Sequence, residues 1–170
     1  MKRSKKILIV CHCLLNANAK VYPLASCGGV YTQAVGDSVA EGVGLLQLPC
    51  PETVYLGINR WGMTREQYDT PHFRESCREM LKPSIAQIKS FANAGYQLIG
   101  IIGMDGSPNC GVSRTCMGYS GGEINVEGIV EAQRENLLFS SGKGVFIEVL
   151  STMLDEEQID IPFTAIDEEA

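Results

Sequence analysis

Three short apolar runs, each stopped abruptly by a cysteine, constrain this chain more than any other feature. Ile7-Leu-Ile-Val10 ends at Cys11-His12-Cys13-Leu14-Leu15. Val43–Leu48 ends at Pro49-Cys50-Pro51-Glu52. Gln97-Leu-Ile-Gly-Ile-Ile102 leads into Gly103-Met-Asp-Gly-Ser-Pro-Asn-Cys-Gly111. Runs this short, apolar on successive residues, suit parallel strands covered on both faces. Asp105-Gly106 and Ser107-Pro108 break the third run sharply.

Helical patterns lie between the runs. Val30–Glu41 carries an apolar stripe at Val30, Ala34, Val35 and Val39, opened by Gly28-Gly29 and closed by Gly42 and Gly44. Thr70-Pro71 is a helix start, with threonine as N-cap and proline at the first helical position. Phe73–Ala94 then holds a 3–4 period through Cys77, Met80-Leu81, Ile85 and Ile88 up to Gly95. Pro83 is expected to divide or kink that helix. Thr53–Thr70, with Trp61, reads as a long irregular loop, a lid or core-packed segment. Val126–Leu138 is weakly helical, Lys143–Leu154 more clearly so, and Ile161–Ile166 reads as a last strand with Pro162 marking its start or an edge. The alternation predicts a single α/β domain over residues 1–170. It is expected to be three-layered, Rossmann/flavodoxin-like, with a mostly parallel sheet of about four strands ordered 2-1-3-4. Residues 111–142 are expected to be irregular structure and short helix over one end.

Composition narrows the partners. The net charge is −6, which disfavours a nucleic-acid backbone. No stretch reads as a signal peptide or membrane span, so a cytoplasmic protein is expected. Lys2, Arg3, Lys5 and Lys6 read as a solvated lead-in, and Asp167-Glu168-Glu169 as a frayed tail. Seven cysteines are an odd count, and a cytoplasmic disulfide framework is not expected. Thiol chemistry or metal binding is the better use for some of them.

Parallel strands end on one edge of a sheet, where ligands of open α/β folds bind. That brings Cys13 (or Cys11), Cys50 and Cys110 together in one crevice. Three thiolates suit zinc, cuprous copper or an iron–sulfur cluster, and zinc held by these three with His12 stays open at this level. Inert core thiols are the plain alternative. Cys11 and Cys27 read as packing or structural cysteines, and Cys77 falls on its helix's apolar stripe. Cys116 is the candidate fourth ligand of a closed site.

The combination of Cys13-Leu-Leu15, Cys50-Pro-Glu52 and Ser107-Pro-Asn-Cys110-Gly111, in this order after three strands, resembles the DUF523 family, which includes the TudS thiouracil desulfurases. The resemblance implies a [4Fe-4S] cluster held by Cys13, Cys50 and Cys110. Its fourth iron would be open to the sulfur of a small thiolated substrate. Glu52 would then activate water or move protons, Ser107 would orient substrate or water, and Asp105 would assist. Each also has a plain reading: Glu52 as a cap, Ser107 as turn chemistry, Asp105-Gly106 as a turn pair. The chain departs from the family pattern at Asn16, where glycine is usual. It departs again at Lys20-Val-Tyr-Pro23, in place of Arg-Tyr-Asp-Gly, and at Val54–Met63, in place of a proline-rich segment. A protein that traffics sulfur or carries a cluster without turnover, and a zinc or thiol protein with Cys50 as nucleophile, are the other classes left open.

Overall fold

The computed structural model describes residues 3–168. The strands are β1 (Lys6–Val10), β2 (Gly44–Gln47), β3 (Gln97–Met104), β4 (Arg114–Met117), β5 (Leu138–Ser141) and β6 (Phe163–Ile166). The helices are α1 (His12–Leu15), α2 (Thr32–Ala40), α3 (Pro51–Leu56), α4 (Arg65–Tyr68), α5 (Pro71–Asn93), α6 (Ile129–Asn136) and α7 (Val145–Glu156). A four-stranded sheet runs in the order β2-β1-β3-β6, and all three pairings are parallel. This is the expected Rossmann/flavodoxin-like arrangement, with β6 as the fourth strand.

β1 is central, and Ile7, Leu8, Ile9 and Val10 are all buried. Right-handed crossovers explain the layers. The step from β1 to β2 runs one way across the sheet, and the steps to β3 and β6 run the other way. Hence α2 covers one face, and α5 and α7 share the opposite face, where they pack on each other. Phe73, Cys77, Leu81, Ile85 and Ile88 of α5 are buried, as are Phe146, Val149, Leu150 and Met153 of α7. Thr70 caps α5 by accepting the Phe73 amide at 3.2 Å.

Four expectations need correction. First, Pro83 does not divide α5, which runs as one helix from Pro71 to Asn93. Pro83 is solvent-exposed, so the carbonyl that loses its partner can be hydrated instead. Second, residues 53–70 are not one loop. Cys50 caps α3, with Pro51 at the first helical position, and Thr64 opens α4 with a capping box to Gln67. Third, residues 111–142 contain an antiparallel ribbon, β4 on β5. Fourth, the chain end is not frayed at Asp167 and Glu168. Asp167 pairs with Arg114 at 2.7 Å, and Glu168 pairs with Lys20. Lys2 and Glu169 lie outside the described residues. Trp61 does not pack in the core, being 81% exposed. Among the described residues, no helix is long and apolar enough to cross a membrane.

Candidate functional site

The three cysteine motifs meet where the topology puts them. The ladder continues past the strand ends, with the Leu48 amide on the Val10 carbonyl at 2.9 Å and the Cys11 amide on Ile102 at 3.0 Å. The backbone then turns into three different supports. Cys13 lies in the single turn of α1. Cys50 is the N-cap of α3, and its sulfur accepts the Thr53 amide at 3.5 Å. Cys110 ends a tight loop from β3. All three line one cavity of about 590 Å³, together with Lys20, Glu52, Arg60, Asp105, Ser107 and Arg114.

The Cys110 loop is built from its own polar groups. Ser107 Oγ accepts the amides of Asn109 at 3.2 Å and Cys110 at 2.9 Å. The N-terminus of α7 grips the same loop: Gly144, Val145 and Ile147 donate their amides to the carbonyls of Gly111, Pro108 and Asn109 at 2.9, 3.0 and 3.1 Å. This contact explains why residue 144 is glycine, since a Cβ there would lie 2.4 Å from the Asn109 carbonyl carbon. Gly103 is constrained likewise, because a Cβ would fall 2.4 Å from the Cys110 carbonyl oxygen.

Asp105 is committed to the same scaffold. One carboxylate oxygen accepts the amides of Val112 at 2.8 Å and Ser113 at 2.9 Å, and the other accepts the Ser113 hydroxyl. Burial works to raise its pKa, but the Ser113 hydroxyl and these amides prevail, leaving it below the usual aspartate value. Asp105 therefore stands ionised as the organiser of the turn into β4. Ser107 also lines the cavity, with its hydroxyl oxygen accepting from Asn109 and Cys110.

Glu52 is held from both sides. Asn109 Nδ2 donates to Oε1 at 3.0 Å, and Arg60 Nε donates to Oε2 at 3.0 Å. Arg60 also reaches the Gly57 carbonyl at 3.2 Å and the Ala19 carbonyl at 2.7 Å. It thereby ties Glu52 to the segment after α1. The Tyr68 phenol lies beside Glu52 and Arg60 with no hydrogen bond of good geometry. Burial, and then the Glu52 charge, push its pKa up.

The thiols act on one another. Cys13 is raised well above the ordinary thiol value by burial and then by the neighbouring charge of Cys110. Cys50 adds to the rise, and Lys20 opposes it. Cys110 is raised by a hydrogen bond with Cys11 and by burial. Cys11, read as a packing cysteine or as the alternative to Cys13, is buried in the core, and its thiol contributes to the rise at Cys110. Cys77 is buried in α5 as its stripe implied, and Cys116 lines the cavity from β4. Among the described residues, no three His, Cys, Asp or Glu side chains converge on single-ion geometry. Cys13, Cys50 and Cys110 nonetheless line one cavity, and three thiols are a donor set that suits an iron–sulfur cluster or zinc.

Sequence reasoning gave no role to Arg60, Asn109, Lys20 or Tyr68. Asn109 was visible inside the Ser107–Cys110 motif. Arg60 carried no signal, because its partnership with Glu52 depends on the path of residues 57–60.

Together the fold and site define a parallel-sheet α/β protein with a cysteine-lined crevice at the carboxyl ends of its strands. The chain is 38% identical over 110 residues to the uncharacterized protein MJ0003 of Methanocaldococcus jannaschii, covering 65% of this chain and 70% of that protein. It belongs to the family of that protein. No protein-family model matches the chain, and no solved structure does.

Proposed function

We propose that this protein is a desulfurase that hydrolyses the carbon–sulfur bond of a small thiocarbonyl compound. The single observation behind this reading is the convergence of Cys13, Cys50, Cys110 and Glu52 on one cavity. The resemblance of the three motifs to the DUF523 family, which includes the TudS enzymes, points the same way. A [4Fe-4S] cluster held by the three cysteines would supply an open, thiophilic iron that polarises the substrate's C–S bond. The chain's own residues do the rest. The largely apolar cavity takes up the flat organic part of the substrate. Glu52, positioned by Arg60 and Asn109, accepts a proton from the attacking water. Ser107 donates its hydroxyl to the substrate or that water. Asp105 keeps the Cys110 loop in place rather than taking part in proton transfer. The reaction needs no partner beyond the small molecule and fits a cytoplasmic setting.

Anaerobic reconstitution with iron and sulfide tests the reading, followed by assay of sulfide release from a panel of thiolated heterocycles. The wild type is expected to turn brown with about four irons, and Cys13→Ser, Cys50→Ser and Cys110→Ser to lose the colour. Glu52→Gln is expected to keep the iron and lose about 100- to 10,000-fold in turnover. A wild type that binds no iron retires the proposal. Iron without turnover on any thiocarbonyl replaces it with a sulfur- or cluster-carrying role.

A further inference from the structure

Lys20 lines the cavity beside Cys13, close enough for its ammonium to favour the Cys13 thiolate. Its side chain is 12% exposed. Two contacts fix it, an ion pair with Glu168 and a hydrogen bond to Tyr31 Oη at 3.4 Å. Glu168 is itself immobilised. It accepts the Ser26 amide at 3.1 Å, the Ser26 hydroxyl at 2.6 Å and the Tyr31 hydroxyl. The end of β6 thus clamps the segment after α1, and the ammonium needs no reorganisation to act.

An ammonium has three donor hydrogens. Glu168 and Tyr31 take two, and the third has no acceptor among the described residues. The other cations of the cavity are committed elsewhere. Arg60 serves Glu52, Gly57 and Ala19, and Arg114 pairs with Asp167 and lies over the Phe139 ring.

We propose that Lys20 is a catalytic residue that binds the departing sulfur as hydrosulfide. The proposal rests on the desulfurase reading and assigns that site its leaving-group anchor. In the overall reaction, a thiocarbonyl and water give the carbonyl compound, hydrosulfide and a proton. Water oxygen bonds to carbon and the C–S bond breaks. The electron pair of that bond stays on sulfur, one water proton passes to sulfur to give hydrosulfide, and Glu52 takes up the other. Negative charge therefore grows on sulfur, inside a partly dehydrated cavity that the Lys20 side chain lines. A preorganised donor of this kind contributes about 100- to 1,000-fold in turnover.

Hydrosulfide itself is the probe, so no organic substrate has to be known. Sodium hydrosulfide is titrated anaerobically into reconstituted wild type, Lys20→Arg, Lys20→Met and the double variant Lys20→Met/Glu168→Gln, matched for iron and followed by visible absorbance. The double variant guards against misfolding, since it leaves no buried carboxylate unpaired. Lys20→Met and the double variant are expected to bind at least about tenfold more weakly, and Lys20→Arg within about threefold of wild type. With a thiocarbonyl substrate, the double variant is expected to lose kcat by about 100-fold while KM stays within about threefold. Wild-type affinity for hydrosulfide in the double variant overturns the role of Lys20 and leaves the desulfurase reading standing. A wild type that takes up no iron overturns both.

Discussion

Removing Arg60 is the most informative perturbation of this site. Its side chain is 4% exposed and that of Glu52 13%, so the pair is largely dehydrated. Arg60 contributes three hydrogen bonds, one to Glu52 and two to carbonyls on either side of it. Deleting one member of a buried pair costs about 3–5 kcal/mol, because the remaining charge loses its compensation. Glu52 keeps the Asn109 amide and some contact with the cavity, which places Arg60→Ala near the lower end, about 3 kcal/mol. For a chain of this size, each kcal/mol moves the melting temperature by about 2–4 °C. Arg60→Ala should therefore melt about 6–12 °C below wild type. Arg60→Lys keeps the charge but loses the fork that reaches Glu52, Gly57 and Ala19 together, so about half the loss should remain. The assay is thermal unfolding of the metal-free protein by circular dichroism, with a double-mutant cycle through Glu52→Gln and Arg60→Met. The double variant should recover at least about 1 kcal/mol relative to the sum of the single losses. A melting temperature for Arg60→Ala within about 2 °C of wild type would refute the reasoning, and so would strict additivity in the cycle.

Three further outcomes follow from the same geometry. Gly144→Ala drives a methyl into the Asn109 backbone at 2.4 Å. It should destabilise by about 1–3 kcal/mol and lower iron retention by displacing the Cys110 loop, measured by unfolding and iron analysis. Burial raises the Cys77 thiol to about 12, against about 8.5 in an unfolded chain. Above pH 9 the unfolded chain then holds fewer protons than the native one, so the stability of metal-free protein should fall with pH, by up to about 1.4 kcal/mol per unit from this thiol. Cys77→Ala should flatten that slope in denaturant titrations at pH 8 and 10. Cys13 is held up by burial and then by Cys110, and Cys110 by its hydrogen bond with Cys11 and by burial. Both must lose protons to bind iron. Loading at pH 8.5 should therefore exceed loading at pH 6.5 and release protons into unbuffered solution.

Much of this protein was legible in its sequence because the signals were local. Continuous apolar runs marked β1, β2 and β3, and a 3.6-residue stripe marked α5. Thr70-Pro71 marked where α5 begins. From the strands and the handedness of their crossovers came the strand order, and with it the meeting of Cys13, Cys50 and Cys110 at one edge. Pro83 misled because a proline's cost in a helix depends on whether the orphaned carbonyl meets water. The Gly- and Ser-rich stretch around β4 hid a strand because its partner β5 is more than twenty residues away, and pairing rather than propensity made both. α3 was obscured by Pro49 and Pro51, although proline at a first helical position starts a helix as readily as it ends one.

What the sequence determined by itself was the α/β class, the sheet order and the cysteines that share an edge, since short-range periodicity and chain topology set all three. Only the tertiary structure decided which charges face each other. Arg60 reaches Glu52 because residues 57–60 turn back over α3. Glu168 holds Lys20 because β6 pairs beside β3 and delivers the chain's end to the segment after α1. Asp105, Ser107 and Asn109 sit within five positions, yet one orders the turn into β4, one caps the Cys110 loop and one grips Glu52. Spacing alone does not separate those roles. Hydrogen-bond partners are chosen by distance in space, and distances between remote segments exist only once the core has packed.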